Sequence, residues 1–66
     1  MMTLQEHLDR MLKDYPAMTA IVAFREGGWE YRRAIGAHPE KDNEKTLREW
    51  LSKWHPEAEF LGFALH

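Results

Sequence analysis

The chain has 66 residues, 44% of them hydrophobic, with three Trp, three Phe and two Tyr. That describes one small domain, residues 1–66, rich enough in large side chains to build a core near the lower size limit for unaided folding. Eleven acids against nine bases and no cysteine exclude a generic basic nucleic-acid binder, a uniformly acidic DNA mimic, disulfide staples and thiolate metal sites.

The first residues, MMTLQEHLDR, carry neither a basic n-region nor a continuous apolar run. No signal peptide or membrane span is expected there, and the expected compartment is the cytoplasm. Thr3-Leu4-Gln5-Glu6 reads as a capping box, the Thr3 hydroxyl accepting from the Glu6 amide while the Glu6 carboxylate reaches back. Leu4, Leu8, Met11, Leu12 and Tyr15 then form the apolar stripe of an amphipathic helix, which Pro16 ends. Glu6–Arg10 and Asp9–Lys13 mark its solvated side.

AMTAIVAF, Ala17 to Phe24, is uncharged and rich in β-formers, as a central strand should be. Gly27-Gly28 follows as a tight-hairpin signal, and Trp29 to Ile35 is the return strand. With those glycines as the loop, Glu26 faces Trp29, Arg25 faces Glu30, Phe24 faces Tyr31 and Val22 faces Arg33. One face then holds Met18, Ala20, Val22, Phe24, Trp29, Tyr31 and Ile35, with Arg33 at its margin. The other holds Thr19, Ile21, Ala23, Arg25, Glu30, Arg32 and Ala34.

His38 to Asp42 reads as a loop, after which Asp42 or Asn43 caps a second helix with Leu47, Trp50, Leu51 and Trp54 on one stripe. Glu44–Arg48 and Glu49–Lys53 lie on its outer side. Pro56 stops it, and EFLGFALH is a closing strand with Glu59, Leu61, Phe63 and Leu65 on one face and Phe60, Gly62 and Ala64 on the other. The expected fold is α+β, in the order α-β-β-α-β. A right-handed crossover gives a three-stranded antiparallel sheet of order 2-1-3, with both helices packed on the bulky face.

His-Pro-Glu occurs twice, at His38 and at His55, which raises the question of one shared metal or acid–base site. The helix between the copies spans ~18 Å at 1.5 Å per residue, too far for ligands that must converge on one ion. Pro39 is read as stiffening a loop, and His55 as a cation at a helix C-terminus. His7 and His66 have no evident partners. Ser52 lacks a triad, Gly27-Gly28 lacks the Lys and Ser/Thr of a phosphate loop, and Glu26 and Glu30 flank a solvated turn. No catalytic residue, cofactor, metal or small-molecule substrate is expected.

With both helices on one side, Ile21, Ala23, Ala34, Phe60, Gly62 and Ala64 would form a flat apolar sheet surface with a charged rim, a docking surface for another protein or a second copy. The residues expected to carry it are Ile21 and Phe60 for burial and Arg25 and Arg32 for orientation. A free sheet edge offers a second docking mode. The helix-then-strand second half, under half the chain, resembles small phage inhibitors of host polymerase, and that likeness implies a stoichiometric regulator or inhibitor. The alternative is a single-stranded RNA or DNA module using Trp29, Tyr31, Arg32 and Arg33, which this register disfavours because it turns both rings toward the helices.

Overall fold

The computed structural model describes residues 1–36 and 43–65; residues 37–42, where the sequence led us to expect a loop, and residue 66 lie outside the described residues. Helix α1 covers Leu4–Asp14. Its capping box is formed as expected: Thr3 Oγ1 accepts from the Glu6 amide at 3.1 Å, and the Glu6 carboxylate accepts from the Thr3 amide at 3.5 Å. At the far end the Tyr15 amide donates to the Leu12 carbonyl, and a turn closed by Met18 N–H on the Tyr15 carbonyl carries the chain off the axis. That turn delays strand β1 to Ala20–Glu26, three residues after the apolar run begins.

Gly27 and Gly28 sit at φ 60° and 82°, the left-handed pair that a primed two-residue turn demands. Strand β2, Trp29–Ile35, therefore returns in the expected register, with Glu26 opposite Trp29, Arg25 opposite Glu30, Phe24 opposite Tyr31 and Val22 opposite Arg33. Helix α2 runs Glu44–Trp54, its amide end capped by Asn43 Oδ1 on the Thr46 N–H at 3.0 Å. Strand β3, Glu59–Leu65, joins the free side of β1, antiparallel to it. The sheet order is β2-β1-β3, as the sequence suggested, and the class is α+β.

The placement of the helices differs from the expectation. They do not share a face. α1 packs Leu8 and Leu12 onto Ile21, Ala23 and Ala64, while α2 packs Leu47 and Leu51 onto Ala20, Val22 and Phe24. The reason is width. A helix is roughly 10 Å across, and three strands spaced ~4.8 Å apart span about 10 Å between the outer two, so each face has room for one helix. β1 is buried on both sides from Ala20 to Phe24, as the centre of three layers must be.

β3 also departs from strict alternation. Ala23 pairs with Gly62 but Phe24 pairs with Phe60, so one residue is inserted at Leu61. This bulge turns Phe60 toward α2, beside Phe63, with ring centroids 6.0 Å apart, and sends Leu61 to the α1 cluster. No described helix is long and apolar enough to cross a membrane.

Candidate functional site

The apolar sheet surface expected to dock a partner is the surface that α1 covers. Ile21 is 0% exposed and belongs to the core. Phe60 lies on the opposite face, half-buried, with the Arg48 guanidinium 4.1 Å above its ring. Neither residue is available for docking in the way expected, because β1 is sandwiched and β3 is bulged. Arg25 and Arg32 are both exposed and share the α1 side of the sheet. Arg25 ties the three strands together, donating to Glu30 on β2 at 2.9 Å and to Glu59 on β3 at 3.2 Å. The hydrogen bond to Glu30, then the charges of Glu59 and Glu30, raise the Arg25 pKa above its ordinary value, so it stays a cation. Arg32 and Arg33 make no ion pair among the described residues.

The structure instead leaves strand β2 bare. Every residue from Trp29 to Arg33 is exposed, and β2 contributes only Ala34 and Ile35 to the two packed clusters. Both helices lean toward β1 and β3, and among the described residues no strand pairs with the outer edge of β2. The antiparallel ladder alternates: the residues flanking the tight turn bond inward to β1, so the N–H and C=O groups of Glu30, Arg32 and Ala34 point outward from the sheet.

Trp29 and Tyr31 do lie on the face that carries α2, as the register requires, but α2 does not reach them. Trp29 is 71% exposed and Tyr31 46%. Tyr31 stacks on the buried Phe24 ring at 5.4 Å, and the His55 ring meets Phe24 from the helix side at 4.8 Å. His55 is held there as the C-cap of α2, its amide donating to the Leu51 carbonyl at 2.7 Å, with Nδ1 3.4 Å from Glu26 Oε1. Arg33, Trp50, Trp54 and His55 line a hollow of ≈ 400 Å³ between β2 and the end of α2.

Sequence reasoning assigned Trp54 to the apolar stripe, yet it is 63% exposed. It is the last residue of α2, one turn past Leu51, and within this helix only Leu47 and Leu51 are buried. Its place in the final turn before Pro56 was the available signal. Of the second His-Pro-Glu copy, His55 is accounted for as a cap and a packed ring; His38 lies outside the described residues, and among those described no three His, Asp or Glu side chains gather to hold a metal.

The site is thus a seven-residue edge strand with three exposed rings, Trp29, Tyr31 and Trp54, and two guanidinium groups, Arg32 and Arg33, that make no ion pair among the described residues. Comparison with protein families, with curated proteins and with solved structures finds no match to this chain.

Proposed function

We propose that this protein is a non-catalytic protein-binding module, a small cytoplasmic regulator or inhibitor, that acts through the open edge of β2. One observation carries the reading: Trp29 to Arg33 are exposed on both faces of a strand whose outer edge pairs with no other strand among the described residues. Such a strand accepts an extended partner by main-chain hydrogen bonding, and adjacent aromatic rings supply the burial that gives affinity. The reading keeps Arg25 and Arg32 as orienting charges and replaces Ile21 and Phe60 by Trp29 and Tyr31.

Photo-crosslinking tests it. A benzophenone amino acid at Tyr31, compared with one at Ser52 on the exposed side of α2, is expected to label discrete proteins in a cell lysate, a second copy of the chain included, only from position 31. Equal labelling from both positions, or none, would remove the edge from consideration.

A second reading has one observation in its favour. Trp29, Tyr31 and Trp54 are exposed rings, and Trp54 shares a hollow with Arg33, the ingredients of a stacking platform for a single strand. It predicts tryptophan quenching by oligonucleotides that falls steeply with salt. The nearby Glu26 carboxylate and the net charge of −2 weigh against it.

A further inference from the structure

The β2 edge carries its own complement. We infer that its partner is a second copy of this chain, joined by antiparallel β2–β2 pairing centred on Tyr31. This rests on the reading of β2 as the docking edge and names what occupies it.

The ladder restricts the choice. Only residues whose main-chain groups point outward can exchange hydrogen bonds across a new seam, so Glu30, Arg32 and Ala34 supply its hydrogen-bonded positions. A two-fold register about Arg32 sets Arg32 against Arg32 and Glu30 against Ala34. One about Glu30 sets Glu30 against Glu30 and runs Arg32 into Gly28. One about Arg33 opposes two more guanidinium groups. The register about Tyr31 is different in kind. It puts Glu30 opposite Arg32 of the second copy twice, as the hydrogen-bonded pairs. Trp29 then faces Arg33 twice, and Tyr31 faces Tyr31 where side chains approach most closely.

Charges on an edge strand ordinarily block pairing. Here they oppose the neighbouring registers and favour this one, so they act as a register key. Arg32 has no ion-pair partner among the described residues and gains one at the seam, while Glu30 keeps Arg25 on its inner side. Trp29 to Arg33 stay exposed, with the end of α2 beside Arg33 across the hollow that Trp50, Trp54 and His55 also line, so the edge itself is left open to approach among the described residues. The product is a continuous sheet, β3-β1-β2 joined to its copy, with both α1 helices on one face and both α2 helices on the other.

Sedimentation equilibrium of the full chain is the test. The wild-type chain is expected to reach twice its monomer mass as concentration rises. Arg32→Glu sets carboxylate against carboxylate at both symmetric contacts and is expected to weaken the dimer about a hundredfold. The swap Glu30→Arg with Arg32→Glu restores opposite charges across the seam, at the loss of the Arg25–Glu30 bond within each copy, and is expected to recover part of that loss. Far-UV circular dichroism confirms that each variant keeps its fold. A wild-type chain that stays monomeric at its solubility limit overturns the inference, as does a dimer indifferent to Arg32→Glu. Crosslinks from position 31 to a different protein would leave the edge reading standing alone in that event, and the absence of any crosslink would remove both.

Discussion

Ile21 and Gly62 show how much one side chain decides in a chain this short. Ile21 sits with Leu8 and Leu12 beneath α1, so Ile21→Glu places a carboxylate where no described side chain can pair with it. The expected loss is about 3 kcal/mol or more, read as a collapse of the cooperative thermal transition. Had the sheet surface been open, the same variant would have kept its fold, so the melt separates the two arrangements directly. Gly62 faces α1 as well: a Cβ there would lie 3.3 Å from Leu4 Cδ2 and 3.6 Å from Leu8 Cδ1. Gly62→Val is expected to cost about 1–3 kcal/mol in urea unfolding, through overpacking. A strand glycine marks a bulge or a close approach, and both occur around Gly62. Period-two counting could not reveal the inserted residue at Leu61, because a bulge depends on what packs above it.

Among elements, local chemistry was the most legible. The Thr3 box, the Asn43 cap, the stop signals before Pro16 and Pro56, and the glycine turn all form as their residue types dictate. Two predictions belong here. Asn43→Ala removes the acceptor for the Thr46 amide and is expected to cost about 1 kcal/mol, measured by chemical denaturation. Gly28→Val forces a β-branched residue to φ 82° and is expected to cost about 1–2 kcal/mol. A destabilisation no larger than that of an exposed strand substitution would mean that the turn is not the positive-φ pair. The outer charges are less legible: of Glu6–Arg10, Asp9–Lys13, Glu44–Arg48 and Glu49–Lys53, Glu44–Arg48 forms among the described residues, at 3.5 Å. Glu6 is taken by its cap, and solvent competes for the rest.

At the scale of the molecule, two helices on opposite faces enclose β1 and leave β2 outside both clusters. Trp29→Ala is therefore expected to change monomer stability by less than about 0.5 kcal/mol, as for an ordinary surface site. Its effect belongs to association. If the edge pairs with a copy, the thermal midpoint must rise with protein concentration, since whatever binds only the folded state stabilises it by mass action. Added salt should lower that concentration dependence by screening the Glu30–Arg32 contacts across the seam. A midpoint that is flat over the accessible concentrations would count against a dimer of this kind.

The sequence by itself determined where each element begins and ends to within a few residues, and which residues face each other across the hairpin. Caps, proline stops and a two-glycine turn act over a handful of bonds, so their outcome does not wait on the rest of the chain. Ala20 to Phe24 is also apolar without alternation, as befits a strand covered on both sides. Only the tertiary structure decided which face each helix takes, where β3 bulges, and that Trp29 and Tyr31 stay in solvent. Those outcomes follow from the width of a helix against three strands and from competition for a limited buried area, which no short stretch of residues can register alone.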